Sequence, residues 1–277
     1  MAYPISPERR PAHLRRLRHL AQEMMVPVGL VAAFGLWSAR AESFYFPSLT
    51  RIVERFSDVW LFDRVVPDLV PSVVRMISGY GIAVILGIAT GLLCGCLPTL
   101  RVGVDPIVQF MRALPSPALI PFVILILGIG DAMKVTVIFT GALWPILLNT
   151  MDGAMSVDET MLDMAKTYHL PARARLRHVV LPAASPRILA GMRTSLSIAI
   201  VLMVVSEMVA STNGVGYFVL SSQRSFAIPD MWSGIIVLGI LGYVANIAFV
   251  RVERQLLYWH RGANGLAVDD TSRKLQI

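Results

Sequence analysis

The charged residues that fall inside long apolar runs are the side chains of this chain best suited to chemistry. Arg112 and Glu207 each lie in such a run. Charges at membrane depth are costly in lipid and normally face protein or a water-filled path. Either residue could therefore line a polar path, and an arginine would suit an anionic solute. Alternatively, Arg112 caps a short helix and Glu207 forms a structural ion pair, as Arg75 near the end of another run is expected to do by snorkelling or pairing.

Other residue types that carry chemistry do not fall into catalytic or metal-binding patterns. The two cysteines, Cys94 and Cys96, are two positions apart on an expected helix and therefore point to different sides. The five histidines form no His-x-x-x-His pattern. The sequence also lacks the G-x-x-x-x-G-K-[ST] phosphate-binding loop. We therefore expect no catalytic residue, no metal site and no cofactor bound to this chain.

The apolar runs that hold these charges are long enough to cross a membrane. The chain of 277 residues is 55% hydrophobic, with a mean hydropathy of +0.64, and a soluble domain of this size cannot bury so much apolar surface. Its apolar residues form long runs between short polar segments, as membrane spans require. We therefore predict an all-α integral membrane protein with six transmembrane helices. The spans are expected at residues 23–40, 70–97, 106–128, 132–150, 187–210 and 232–256.

Positive charge predicts how these spans are oriented. The net charge is +7, and Lys and Arg in short segments favour the cytoplasmic side of a membrane. We therefore place the N-terminal segment 1–22 and the C-terminal tail 257–277 in the cytoplasm, on either side of the transmembrane domain 23–256. Because the charge is explained by orientation, it gives no reason to expect a nucleic-acid partner. The basic residues expected in the cytoplasm are Arg9, Arg10, Arg15, Arg16, Arg18, Arg101, Lys166, Arg173, Arg175, Arg177, Arg251 and Arg254.

The first span has a second possible interpretation. Its basic start, the apolar run from Met24 to Trp37 and the sequence Ala39-Arg40-Ala41 resemble a signal peptide with its cleavage site. The segment before the apolar run is long for a signal peptide, and cleavage would leave five spans and break the agreement with the charge pattern. We therefore expect this segment to be retained.

Small residues in the second span predict where another helix packs. Gly79, Ala83, Gly87, Gly91 and Gly95 recur every four residues and so line one stripe of the helix. Such stripes let helix backbones approach closely in lipid. We therefore expect a compact bundle built around this span.

Prolines interrupt the beginning of the third span. Pro115, Pro117 and Pro121 follow the sequence DPIVQFMRAL, which could form a short separate helix before a turn and re-entry. Interrupted membrane helices are tolerated where the backbone is buried in protein or lines an aqueous path. A broken helix beside a path and a simple kink both fit the sequence.

One polar, basic segment stands out from the apolar chain and predicts a helix-turn-helix. It reads SVDETMLDMAKTYHLPARARLRHVVLP, from Ser156 to Pro182. Ser156 and Glu159 fit a capping box at the start of a first helix. Pro171 is placed to start a second helix, which Pro182 and Pro186 would end before the fifth span.

The first of these helices has an apolar face. Met161, Met164, Ala165 and Tyr168 follow the spacing i, i+3, i+4, i+7. An amphipathic helix resting among anionic headgroups is one explanation, but the acidic residues of the segment would be repelled there. A surface that docks another protein accounts for both signs of charge.

The same segment resembles the EAA loop of bacterial ABC-importer permeases. The pattern of that loop is Glu-Ala-Ala, three residues, Gly, nine residues, Ile, one residue and Leu-Pro, and the spacing here matches throughout. The main departure is a histidine at the glycine position, because His tolerates a positive φ less well than Gly. We therefore expect an altered turn or a different cap there. The residues that match the pattern, and that the resemblance assigns to ATPase coupling, are Asp163, Met164, Ala165, His169, Val179, Leu181 and Pro182.

Four further segments resemble one subfamily of these permeases, which imports nitrate, sulfonates, taurine, bicarbonate and related small compounds. They are FPSLTRIVERF, SVVRMISGYGIAVILGIATGLLCG, DPIVQFMRALPSPALIPFVILILGIGDAMK and SEMVASTNGVGYFV. The resemblance runs from about Phe46 to Arg254. It implies the type I ABC importer permease fold in a bacterial inner membrane.

The resemblance also implies the partners of the chain. In this family two permease subunits pair, usually as homodimers in this subfamily. Two separate ATPase subunits, which bind ATP and Mg²⁺, drive them, and a substrate-binding protein delivers the solute. The 156–182 loop would lie in a groove of the ATPase and transmit its movement to the spans. The outer segment 211–230 would re-enter the membrane and touch the binding protein, although a plain loop fits the sequence as well.

Two other functions explain less of the sequence. A secondary transporter or channel accounts for the spans and the buried charges, but not for a docking loop. A membrane-embedded enzyme would need clustered nucleophiles, acids or metal ligands, and the sequence has none. We therefore expect an importer permease that carries a small anionic solute, whose identity the sequence does not give.

Overall fold

The computed structural model describes residues 12–41 and 43–257, apart from the side chains of residues 12–24, 41 and 62. Within these ranges the chain folds into helices joined by short turns, with no strand, as the predicted all-α class requires. The first eleven residues of the predicted N-terminal segment and residues 258–277 of the tail lie outside the described ranges. The helices are α1 (Ala12–Ala41), α2 (Leu49–Asp58), α3 (Val70–Cys96), α4 (Pro98–Ala113), α5 (Ile120–Leu127), α6 (Asp131–Met155), α7 (Glu159–Thr167), α8 (Ala172–Arg175), α9 (Leu181–Val209), α10 (Val215–Arg224) and α11 (Ile228–Leu256).

Not all of the six predicted spans are continuous helices. The apolar part of α1, Met25–Arg40, is shorter than a usual span. Helix α4 and the segment Ser116–Leu127 are apolar enough to form one span together, but they are bent by 90°. Within the described ranges, the stretches long and apolar enough to cross a membrane alone are Val65–Cys96, Asp131–Met155, Ala172–Val209 and Ile228–Leu256.

The bend in the third span has a local cause. Leu114 precedes Pro115, and a residue before proline is pushed out of the helical region. Both residues are extended, with ψ values of 127° and 114°. The prediction of one span over 106–128 is therefore wrong in its bounds. The interpretation as a separate helix followed by a turn is confirmed.

Helices α3 and α6 pack along the predicted stripe of small residues. A Cβ atom added at Gly79 would lie 2.8 Å from Ile138, and one added at Gly95 would lie 2.6 Å from Ala154. No larger side chain fits between these backbones, so the stripe is confirmed as a packing face. Residues later in α3 contact residues later in α6, so the two helices run parallel.

Helix α9 packs on α6 in the opposite direction. Gly153 near the end of α6 lies against Ala184 near the start of α9, and Ser195 Oγ donates to the carbonyl of Ala142 at 2.6 Å. The core lies between α3, α5, α6 and α9. Its fully buried side chains include Ile120, Met133, Ile138, Ile146 and Met203.

The polar segment begins differently from the prediction. Asp158 is the N-cap of α7, and its carboxylate accepts the N–H of Thr160 at 2.8 Å. Ser156 instead ends α6, and its hydroxyl donates to the carbonyl of Gly153 at 3.0 Å. The predicted capping box of Ser156 and Glu159 is therefore wrong, because α6 runs on to Met155 and uses the serine as its own cap.

The predicted end of the second short helix is also wrong. Helix α8 continues through a π-helical turn, Leu176–Val180, directly into α9. Pro182 comes directly after the π-helical turn, where the regular i→i−4 hydrogen-bond ladder is interrupted. Pro186 leaves the carbonyl of Pro182 without its helical donor, and the hydroxyl of Ser185 donates to that carbonyl at 2.8 Å instead. The prolines therefore do not interrupt the helix.

Candidate functional site

Helix α7 ends in a turn that the sequence could not settle. The N–H of Leu170 donates to the carbonyl of Ala165 at 3.0 Å, and that of His169 donates to Lys166 at 2.9 Å. This pair of hydrogen bonds is a Schellman motif, whose C′ residue adopts the left-handed conformation. His169 has a φ of 51°. His169 therefore adopts the left-handed conformation that glycine favours, and the two hydrogen bonds hold the turn in place.

Helix α7 buries one narrow side and exposes its apolar face. Ala165 is only 3% exposed, and Leu162 packs against a small cluster formed by Ala154, Val157 and Val180. The predicted apolar face is largely open, since Met164 is 56% exposed. The other exposed members of that face are Met161 and Tyr168. Exposed methionine and aromatic side chains grouped on one helix are typical of a protein-docking surface.

This exposed face forms one wall of an apolar groove of about 440 Å³. The groove brings together four of the predicted coupling residues, which come from both halves of the segment. These four residues are Met164, Ala165, Val179 and Pro182. Met161, Tyr168, Leu170, His178 and Ala183 complete its lining.

The remaining coupling residues lie outside the groove lining. Asp163 lines an adjoining shallow pocket with Thr167, and its carboxylate pairs with Lys166 Nζ at 2.8 Å. Leu181 is 38% exposed at the start of α9. His169 is exposed in the turn that follows α7. The predicted residues therefore form a continuous surface rather than one enclosed site.

The other end of the bundle contains a buried ion pair. Glu207 is fully buried, and Arg75 is 4% exposed. Arg75 Nη1 donates to Glu207 Oε1 at 2.8 Å. We call this the ion-pair end, and the end that holds α7 the α7 end. The structure places Glu207 against Arg75, as expected for a pairing residue, and not on an open surface.

The carboxylate of Glu207 also caps α10. The N–H of Gly216 donates to Glu207 Oε2 at 3.0 Å, and the N–H of Val215 donates to Ser72 Oγ at 2.9 Å. Gly214 donates to Asp68 Oδ1 at 2.8 Å. These side chains accept hydrogen bonds from backbone N–H groups that have no partner within the helix at its start. The positive end of the helix dipole in turn stabilises the two carboxylates.

Gly214 is required by this arrangement. Its φ is 112°, and an added Cβ would lie 2.5 Å from the carboxylate of Glu207. Residues 215–224 form a packed helix, in which Phe218 is buried. The outer segment is therefore not the plain loop that the sequence also allowed.

Several members of this network were missed from the sequence. Arg75 Nε donates to Asp131 Oδ1 at 2.7 Å, and Nη2 donates to the side chain of Asn213 at 2.6 Å. Lys134 is 3% exposed and lies 3.6 Å from Asp131. Two features of the sequence could have indicated these residues. Asp131 and Lys134 are charged and lie near the start of an apolar run, and the pair Asn213-Gly214 follows the fifth span.

Arg112 lies at the bend between α4 and α5. It is in the last turn of α4 and its side chain is exposed. Within residues 12–41 and 43–257, the structure shows no ion pair or hydrogen bond from this side chain. Arg112 and Glu207 therefore do not belong to one cluster.

Comparison with known sequences identifies relatives of this chain. The family described as "Binding-protein-dependent transport system inner membrane component" matches residues 83–257. The putative aliphatic sulfonates transport permease protein SsuC of Bacillus subtilis is 32% identical over 220 residues, which cover 79% of each chain. The taurine transport system permease protein TauC of Escherichia coli is 27% identical over 266 residues, which cover 90% of this chain and 95% of that protein.

Comparison with solved structures gives the fold. A chain from an inward-facing structure of the MetNI methionine ABC transporter superposes with a TM-score of 0.59 at 20% sequence identity. The match covers 68% of this chain and 94% of that chain. The helix arrangement is therefore that of a type I importer permease.

Proposed function

The chain belongs to the family of inner membrane components of binding-protein-dependent transport systems, and from that membership we propose how it works. It is the permease subunit of such an importer, embedded in the inner membrane. In the proposal, two copies form the translocation path, a separate ATPase that binds ATP and Mg²⁺ drives it, and an extracytoplasmic binding protein delivers the solute. Both termini of the chain lie in the cytoplasm.

The coupling surface is the groove between α7 and the start of α9. Its apolar lining and the exposed Met164 give an ATPase a surface to bury. This exposed apolar face on an otherwise polar helix is the observation that carries the proposal. Burying such side chains at the centre of an interface supplies most of its binding free energy.

Movement of this surface passes directly into the membrane. Helix α8, the π-helical turn and α9 form one continuous helical stretch, Ala172–Val209. Val180 in that turn packs against the cluster that holds Leu162 of α7. A displacement of α7 by the ATPase therefore tilts the fifth span as a rigid body.

A charged substitution in the groove tests the coupling surface. In Met164→Asp, binding of the ATPase would bury an unpaired carboxylate at the interface. We expect the amount of ATPase recovered with the affinity-tagged permease from mild detergent to fall about tenfold or more. The ATPase encoded with the permease is quantified by mass spectrometry of the eluate.

Leu176→Asp is the matched control. Leu176 is exposed in the same segment but does not line the groove, so its substitution leaves ATPase recovery unchanged. Equal recovery with Met164→Asp and with Leu176→Asp would contradict the proposed surface. Transport by the purified chain without any ATPase would contradict the whole proposal and favour a secondary carrier.

The proposed solute is a small anion of the sulfonate type. Relatives named for aliphatic sulfonates and for taurine align with 79% and 90% of this chain. Arg112 supports this choice, since its exposed cationic group lies at the broken third span. Backbone interruptions of this kind are tolerated where the chain lines a cavity.

A further inference from the structure

A second cleft at the α7 end has a different character from the coupling groove. Its volume is about 390 Å³, and it lies where the ends of α3 and α6 meet the polar segment. Its lining contains three basic residues and no acidic residue. The basic residues are Arg101, Lys166 and Arg175.

Each cation of the cleft comes from a different helix. Arg101 lies near the start of α4, Lys166 near the end of α7, and Arg175 at the end of α8. Lys166 is partly neutralised by Asp163, which pairs with it at 2.8 Å but does not line the cleft. Neither arginine forms an ion pair within the part of the chain that the structure describes. The cleft therefore has an excess of positive charge that no acidic residue of the described ranges compensates.

The depth of the cleft restricts what it can bind. Cys96 ends the span Val65–Cys96, and Met155 ends the span Asp131–Met155, and both residues line the cleft. The cleft therefore lies at the level where a membrane's headgroups begin. Leu162 and Val180 supply an apolar wall beside the cations, so that an acyl chain and an anionic headgroup could be accommodated together.

We propose that this cleft binds a phosphate-bearing anion, in the first place the headgroup of an anionic phospholipid. Basic pockets between membrane helices on the cytoplasmic side suit such headgroups. A bound phosphate would connect α7 to α4 and α8, and would therefore fix the coupling helix relative to the spans. The site goes beyond the proposed function, and it rests on that function only for the placement of the α7 end in the cytoplasm.

A lipid titration tests this site on the full-length chain. The detergent-solubilised protein is titrated with phosphatidylglycerol and with phosphatidylcholine, and the bound lipid is counted by native mass spectrometry. We expect phosphatidylglycerol to bind about tenfold more tightly than phosphatidylcholine. In the double variant Arg101→Gln/Arg175→Gln this preference is lost, because each removed cation weakens anionic-lipid binding about fivefold.

The control variant removes the same charge from the same region. Arg173 and Arg177 are exposed neighbours of Arg175 that do not line the cleft. Arg173→Gln/Arg177→Gln therefore keeps the preference for phosphatidylglycerol. Equal losses in the two double variants would overturn the site, provided that both elute as folded protein in gel filtration.

Inorganic phosphate separates the two possible sources of the anion. If millimolar phosphate binds with the same dependence on Arg101 and Arg175, and phosphatidylglycerol shows no preference, the site takes a free phosphate. If phosphatidylglycerol binds and phosphate does not displace it, the ligand is the lipid. If neither anion binds, the proposal is wrong. Failure to recover an ATPase with the permease would contradict the proposed function. The lipid titration would still report whether the cleft binds an anion.

Discussion

At the residue scale, the sequence suggests testing Glu207 for a role in transport, whereas the structure suggests testing it for a role in stability. Its carboxylate is fully buried and is bound by Arg75, Ser72 and the N–H of Gly216. Removing one partner of a buried ion pair costs about 3–5 kcal/mol. Here Arg75 would keep only Asn213 and the exposed Asp131 as partners among the described residues, and the buried N–H of Gly216 would lose its acceptor. We expect Glu207→Leu to lower the melting temperature of the purified chain markedly. The double variant Arg75→Met/Glu207→Leu should recover part of that loss.

An exposed acid supplies the control for this experiment. Glu159 is exposed on α7, and Glu159→Leu should change the stability of the chain by no more than about 0.5 kcal/mol. If Glu207→Leu melts like the unchanged protein and yet abolishes uptake, Glu207 serves the translocation path and not the packing of α10.

The predicted role of Arg112 in the translocation path can be tested directly by substitution. We expect Arg112→Ala to reduce uptake of radiolabelled taurine by cells about tenfold or more, the loss expected for one hydrogen bond to a charged group. Arg112→Lys keeps the charge and should retain part of the uptake. Recovery of the ATPase with the permease is measured in parallel and should not change. Normal uptake by Arg112→Ala would leave this arginine with a structural role only.

Single residues were predictable where burial of charge alone decides their behaviour. Arg75 was expected to snorkel or pair, and it forms an ion pair. Asp68, Ser72 and Asp131 were missed, because the contacts that join them to Gly214, Glu207 and Arg75 span between 56 and 146 positions of the chain. His169 could not be decided either, since the sequence does not show that hydrogen bonds to Ala165 and Lys166 hold its φ positive.

At the scale of elements, the packing of α3 on α6 was predictable from one periodic pattern. The added Cβ at Gly91 would lie 2.6 Å from Thr150, whereas one at Gly81 would meet nothing within 4 Å. We therefore expect Gly91→Leu to separate the two helices and to reduce the yield of monodisperse protein, since overpacking a core costs about 1–3 kcal/mol or more. Gly81→Leu should be tolerated. Similar behaviour of the two variants in gel filtration would show that the stripe does not hold the bundle.

The ends of helices were less predictable than their faces. The capping box at Ser156 was a reasonable pattern, but α6 extends far enough to use that serine first. Pro182 and Pro186 were expected to end the second short helix. Instead, a π-helical turn precedes Pro182, and the hydroxyl of Ser185 replaces the N–H donor that Pro186 lacks. Both outcomes depend on how far a neighbouring helix propagates, and local sequence does not determine that.

At the scale of the whole molecule, the course of the chain follows from a few contacts. The pairing of Arg75 with Asp131 brings the starts of α3 and α6 together at the ion-pair end. The chain leaves α3 at the α7 end and must return before α6, so residues 97–130 travel the length of the bundle. That length is about 37 Å for the 25 residues of α6 at 1.5 Å per residue. The bent pair of α4 and α5 therefore acts as a span, although it is not a continuous helix.

The last helix returns the chain to the α7 end. Arg193 in the first half of α9 lies 3.8 Å from Glu253 near the end of α11. Gly234 near the start of α11 lies against Phe218 of α10, the helix that begins at the ion-pair end. Helix α11 therefore runs from the ion-pair end towards the α7 end.

Phe34 of α1 packs against Trp232 at the start of α11, with ring centroids 5.8 Å apart. The end of α1 therefore lies at the ion-pair end. Within the described residues these contacts fit five crossings, four by continuous helices and one by the bent pair of α4 and α5. The sixth predicted span, at 23–40, stays a prediction, because its apolar part Met25–Arg40 is short for a span.

Cysteine labelling would test which side each end faces. With Cys94 and Cys96 replaced by serine, Ser225→Cys adds a thiol at the exposed turn between α10 and α11, and Thr167→Cys adds one at the end of α7. A membrane-impermeant maleimide should label Ser225→Cys in intact spheroplasts, and Thr167→Cys only after the membrane is permeabilised. The reverse labelling pattern would show that the chain has the opposite orientation in the membrane. That orientation would also remove both the coupling groove and the basic cleft from the side where an ATPase works, so this experiment decides whether either proposal can hold in the cell.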